Sequence, residues 1–245
     1  MGGRKGKGAG SGFRGGFQAA LRRNSRLALM VALIFIIAIF SGLMVGALRK
    51  SGAGVVIAGM IEEQMESMRK EALGLPYGLP LASYIIVNNV VLAVWMVALG
   101  ILFGVFTVST LFLNGVVLGY LPFYLAAHRQ FVQVPEVLSA ILPHAFIEFA
   151  AFLIAATCGI RMGISAAQAI VHGGASDRLR SAFKDVWNLL PVSILLFVIA
   201  GLIEGFISPL TGPGVAYAKL ALSFLILALL LLWFTGDGKK SRAKK

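Results

Sequence analysis

The chain has 245 residues, of which 58% are hydrophobic and 13% charged, and its mean hydropathy is +0.88. A soluble domain carries about 25% charged residues, so this composition excludes an ordinary soluble enzyme and indicates an integral membrane protein. The net charge of +12 does not imply nucleic acid, because the basic residues gather at the two termini and in one loop, a distribution that orients a chain in a membrane.

Residues 1–26 mix Gly and Ser with Arg4, Lys5, Lys7, Arg14, Arg22, Arg23 and Arg26 and show no apolar periodicity. They are expected to form a flexible basic tail attracted to anionic lipid headgroups. The apolar run 27–48 follows; it is too long for a signal-peptide core and reads as a retained first span. Residues 55–73 predict an amphipathic helix outside the bilayer. Ile57, Met60, Ile61, Met65, Met68 and Ala72 recur at three- and four-residue spacing opposite Glu62, Glu63, Glu66 and Arg69. Such a Met-lined stripe either packs on the bundle or docks a partner protein, so Met60, Met65 and Met68 form a candidate partner surface.

No charged residue occurs from Tyr84 to Ala127. A single helix of that length would run about 66 Å, twice the bilayer's hydrocarbon thickness, so two spans are expected, 84–104 and 107–127, with a tight reversal near Gly104–Thr110. A fourth span, 138–160, is closed by Arg161. An interfacial helix is predicted at 176–188, with Leu179, Phe183, Trp187 and Leu190 on its apolar face. Spans at 189–207 and 216–234 complete an all-α, six-span membrane domain, 27–234, before a basic tail, 235–245. Placing both termini in the cytoplasm puts 16 of the 22 Lys and Arg inside, as the positive-inside rule requires for a plasma-membrane protein. Cys158 is the one cysteine, so no intramolecular disulfide can form.

With that orientation, polar residues from four spans reach similar depth in the outer half of the bundle: Asn88, Asn89, Asn114, His144, Glu148 and Glu204. His144 and Glu148 are four residues apart and share a helix face. A carboxylate in hydrocarbon must be paired, protonated or bound to a cation. Three arrangements use these residue types: a hydrogen-bonded network fixing helix register, a proton- or ion-handling site, and a metal site. No HExxH motif or Cys/His cluster accompanies them, so no cofactor is assigned, and His144, Glu148 and Glu204 are the candidate ligands if a metal binds. Nucleophile elbow, Walker loop and dinucleotide fingerprint are all missing from the sequence, which favours a non-enzymatic protein. Small-residue pairs recur at Gly42/Gly46, Gly100/Gly104, Gly115/Gly119, Gly159/Gly163 and Gly201/Gly205. They predict close helix packing within one chain, with a homodimer as the other use of such pairs.

Asn88-Asn89, NGVVLG at 114–119, LPHAFIE at 142–148, GIRMG at 159–163 and LIEGFISP at 202–209 together resemble the stage II sporulation protein M family. Ala145 stands where that family usually has Gly, a change that tightens packing beside His144. The resemblance implies a multi-pass membrane protein acting as a scaffold; the family's namesake in sporulating bacteria recruits cell-wall-degrading partners and is not itself the hydrolase. The function expected is therefore a non-enzymatic scaffold at the outer membrane face. The alternatives are an ion- or proton-coupled transporter using the polar cluster, and an intramembrane metalloenzyme.

Overall fold

The computed structural model describes residues 12–128 and 134–235. These residues form helices and connecting turns, with no strand among them. The helices are α1 (Phe13–Arg23), α2 (Ser25–Leu48), α3 (Ala53–Leu73), α4 (Leu79–Ala98), α5 (Val105–Ala127), α6 (Val134–His172), α7 (Ala175–Phe206) and α8 (Val215–Thr235). Six of them, α2 and α4 to α8, are long and apolar enough to cross a membrane, so the chain is a multi-pass helix bundle.

Helix α6 is the central post. It packs against α7, α8, α4 and α2, while α2 and α5 pair with one another and α4 lies along α7. The tightest seams are built from glycine. A Cβ at Gly42 or Gly119 would overlap the backbone carbonyls of Val116 and Ile39, across the α2–α5 crossing. At Gly159 it would overlap the Met96 carbonyl and Thr107, and at Gly163 the backbone of Gly100 and Gly104, where α6 crosses the end of α4. Gly201 and Gly205 take the same role against Ile86 and Ala82 of α4. Small residues thus let these backbones meet within a single chain. Between helices, Thr107 Oγ1 donates to the Met96 carbonyl at 2.6 Å, and Ser193 Oγ to that of Ala151 at 2.6 Å.

Four expectations are corrected. The flexible tail is helical over Phe13–Arg23, because Phe17 and Ala20 are buried and the Phe17 ring lies 4.8 Å from that of Trp233 and 6.0 Å from that of Phe234. Residues 1–11 and 236–245 of the two tails lie outside the described residues. Second, the reversal between α4 and α5 comes earlier than Gly104–Thr110. A 3-10 turn at Leu99–Ile101 leads to left-handed Phe103 (φ 56°) and Gly104 (φ 75°), and Thr107 is already inside α5.

Third, α6 does not end at Arg161, and no separate interfacial helix exists at 176–188: α6 and α7 are continuous helices of 39 and 32 residues joined at Gly173-Gly174. At 1.5 Å per residue they measure about 58 and 48 Å, well beyond the roughly 30 Å hydrocarbon core, so their hairpin projects from the bilayer. Fourth, the apolar face expected of 176–188 is divided: Leu179 and Leu190 pack against the core, and Phe183 and Trp187 do not. Phe183 and Trp187 are 58% and 82% exposed, whereas Ala182, Asp185, Val186 and Leu189 are buried. Arg161 and Asp185 explain both of these last points. Asp185 accepts from Arg23 Nε at 3.0 Å and Nη2 at 2.5 Å, from Asn24 Nδ2 at 3.0 Å and from Arg161 Nε at 3.3 Å. The charges that seemed to mark a helix end neutralise each other instead.

These contacts also fix sidedness within the molecule. Helix α1, the α6–α7 hairpin and the end of α8 share one face. On the opposite face α3 lies against the end of α5, with Ala58, Ile61 and Met65 buried alongside Tyr120 and Tyr124. Tyr120 donates its hydroxyl to Glu62, Tyr124 donates to Glu66 at 2.8 Å, and Tyr84 of α4 donates to Glu71 at 2.5 Å. The α3 carboxylates are therefore anchors as much as a solvated face.

Candidate functional site

The polar residues of four helices do not all converge. His144 and Glu148 of α6 and Glu204 of α7 do: one ligand atom from each lies within 4.8 Å of the others. His144 Nε2 is 3.9 Å from Glu204 Oε2, too long for a hydrogen bond. The other imidazole nitrogen, Nδ1, is 3.1 Å from Ser208 Oγ. Asn89 of α4 donates Nδ2 to Glu148 Oε1 at 2.8 Å. Two carboxylates thus stand together with one imidazole and one amide, and no Lys or Arg among the described residues pairs with either carboxylate.

Local sequence explains the placement. Glu148 follows His144 by four residues and shares its face, and Ser208 follows Glu204 by four. Ile207 and Ser208 end α7, where their amides still bond the Ile203 carbonyl at 2.8 and 3.0 Å. Lys219 of α8 then donates Nζ to the carbonyls of Ser208 and Leu210 at 3.0 and 3.1 Å, a cation satisfying the carbonyl end of a helix. Neither Ser208 nor Lys219 was among the residues expected from the sequence. The i, i+4 relation of Ser208 to Glu204 was the available signal.

Asn89 reaches Glu148, but its neighbour Asn88 is exposed on another face of α4 with Ser83, Tyr84 and Val87. Adjacent helical residues point about 100° apart, so only one of the pair can face α6. Asn114 lies across a cavity from Asn89 and Glu148, yet its own amide bonds the Thr110 carbonyl at 2.9 Å within α5. Of the three Met residues proposed as a partner surface, Met60 is 67% exposed and Met65 is buried. The Met68 side chain lies outside the described residues.

Glu148 stands at the junction of two open cavities. The smaller, of about 190 Å³, is lined by Asn89, Asn114, Phe35 and Phe152; the larger, of about 380 Å³, by His144, Ala145, Glu204 and Ser208. Leu118, Leu121 and Phe149 border both. The arrangement is therefore not a sealed knot of hydrogen bonds. These residue types could hold a proton or a cation, since the paired carboxylates require neutralisation.

The family model described as stage II sporulation protein M matches residues 31–209. The chain belongs to this family. The matched region holds every residue of the cluster, from Asn89 to Ser208, and leaves α1 and α8 outside it. Two proteins of Methanocaldococcus jannaschii are similar to this stage II sporulation protein M family chain. One, uncharacterized protein MJ0706, is 27% identical over 49% of this chain and 56% of its own length. The other, uncharacterized protein MJ0793, is 30% identical over 51% of this chain and 69% of its own length. No solved structure matches.

Proposed function

We propose that this family member is a non-enzymatic organiser of partner proteins in the plasma membrane, with α1, the α6–α7 hairpin and both termini in the cytoplasm and α3 on the outer side. The concentration of Lys and Arg on the terminal side supports the orientation. Basic residues there meet anionic lipid headgroups. The observation that carries the partner role is the way α3 is held. One edge, Ala58, Ile61 and Met65, is buried on α5, while Val55, Val56 and Met60 are 52%, 66% and 67% exposed. A photoreactive side chain at Met60 is expected to capture a discrete protein in native membranes, and the same group at Met65 to capture only α5. Capture of lipid alone from Met60 refutes the docking surface. Orientation is tested by thiol labelling of cysteines introduced at Gly52 and Gly174, which must react from opposite sides; Cys158 is buried and gives no background.

A second reading, an ion- or proton-coupled protein, is favoured by the two cavities that open onto Glu148. Carboxylate–His groups facing a cavity inside a membrane mark ion and proton paths. Proteoliposome flux abolished by Glu148→Gln, in protein that still elutes as a folded species, supports this reading. Unchanged flux in the variant, or none in the unaltered protein, removes it.

A further inference from the structure

We propose that His144, Glu148 and Glu204 bind one divalent transition-metal ion, Zn²⁺ or Mn²⁺, in the larger cavity. This rests on the second reading only for access, since the ion must arrive through the opening beside Glu148. Three observations carry it. The first is donor geometry. Ligand atoms from all three residues lie within 4.8 Å of one another, and the His144–Glu204 pair is at 3.9 Å. Metal–ligand bonds of about 2.0–2.2 Å in a tetrahedral site place ligand atoms roughly 3.3 Å apart. Closing the His144–Glu204 pair by about 0.6 Å, and the widest separation by at most about 1.5 Å, by side-chain rotation therefore encloses an ion.

The second observation is the outer shell. Ser208 occupies His144 Nδ1 and leaves Nε2 directed at Glu204, while Asn89 holds one oxygen of Glu148 and leaves the other. Metal-binding imidazoles and carboxylates are oriented by outer hydrogen bonds of this kind. The third is charge. Two carboxylates without a Lys or Arg partner among the described residues need, when ionised, two positive charges. A divalent ion with one neutral imidazole makes the group electrically neutral inside the bilayer, where net charge is costly. One nitrogen and two oxygen donors with no thiolate suit Zn²⁺ or Mn²⁺ and disfavour Cu⁺. In a four-coordinate Zn²⁺ site the three protein ligands leave one coordination position facing the cavity, open to water or to an anionic group, and Mn²⁺ leaves more than one.

The test uses the full chain in nanodiscs, stripped of metal by chelator and titrated with Zn²⁺ and with Mn²⁺. One ion per chain is expected. His144→Ala, Glu148→Gln and Glu204→Gln should each weaken binding at least 100-fold, and Asn89→Ala and Ser208→Ala roughly 10-fold. His128→Ala and His172→Ala should leave it unchanged. Should the ligand variants fail to fold, Co²⁺ in the unaltered protein provides an independent readout. Visible d–d bands of a four- or five-coordinate N/O site support the proposal; the spectrum of the aqueous ion overturns it. Saturation well below one ion per chain, or unchanged affinity in the folded triple variant, also overturns it. Leu121→Cys separates the two readings: labelling by a water-soluble thiol reagent together with no metal binding sinks the metal site and leaves the open cavity standing, whereas neither labelling nor binding sinks both.

Discussion

Replacing Asp185 with Ala should release α1 from the bundle while leaving the membrane spans folded. Asp185 is 3% exposed and takes hydrogen bonds from Arg23, Asn24 and Arg161, which lie on three different helices or helix junctions. Hydrogen bonds to a charged group contribute about 1.5–3 kcal/mol each, and breaking a buried pair by removing one partner costs about 3–5 kcal/mol. Rehydration lowers that figure here. The Arg23 side chain is half exposed, so much of its interaction is screened. Arg161 keeps its bond to Ser165 Oγ at 2.7 Å. The expected cost is therefore near the bottom of the range, about 3 kcal/mol, and it falls on α1, which otherwise retains Phe17 against Trp233 and Phe234. At 1.4 kcal/mol per decade that is roughly a 100-fold rise in local opening, read as faster amide hydrogen exchange over Phe13–Arg23. Exchange in α4 and α5 should not change. A change in α1 smaller than about threefold would mean that the apolar contacts alone hold the helix, and the reasoning about Asp185 would fail.

Four further outcomes follow from the packing. Gly159→Ala puts a methyl into the Met96 carbonyl and the Thr107 side chain, so thermal unfolding in detergent should show a loss of about 1–3 kcal/mol, whereas Gly59→Ala, in helical α3 with nothing within 4 Å, should stabilise by up to about 1 kcal/mol. Tyr120→Phe removes the hydroxyl bound to Glu62 and should loosen α3 by about 1 kcal/mol, measured as roughly fivefold faster exchange in α3 alone. Ser193→Ala deletes the 2.6 Å bond to the Ala151 carbonyl between α7 and α6. Its cost should stay near 0.6 kcal/mol and below about 1.7, checked by the shift in the unfolding midpoint.

How much of this was readable in the sequence depended on whether a residue's meaning was local. The six apolar runs are local facts, and each corresponds to one of the six helices able to cross a membrane. The pairing of His144 with Glu148 is also local, fixed by the helical repeat. Arg161 and Asp185 are different: each alone looks like a marker of water, and only their mutual contact across 24 positions shows that α6 and α7 run on past them. Trp187, 82% exposed, shows a related point. In a chain surrounded by lipid the apolar side can face outward, so an apolar stripe does not by itself identify the buried face. Asn88 and Asn89 could not be separated because helix rotation is set by partners, here Glu148. Phe13–Arg23 was obscured by its glycines. Phe17 and Ala20 form a helix there because α7 and the end of α8 receive them.

The position of the cavities follows from how α5 divides its surface. Gly115 and Gly119 turn toward α2, where their missing side chains let the Ile39 and Phe35 carbonyls approach. Leu118, Leu121 and Leu125 line the larger cavity on the side of α6, and long side chains there hold the helix axes apart. The seams between α2 and α5, and between α4 and both α6 and α7, are closed by glycine; the one between α5 and α6 is closed so only at its Gly104–Thr107 end, against Gly159 and Gly163, and not along Leu118–Leu125. A space opens where close backbone approach is absent, and His144, Glu148 and Asn89 border the openings on that seam, with Glu204 reaching in from α7. Their placement against that open stretch of the seam is the observation on which the proposed binding site rests.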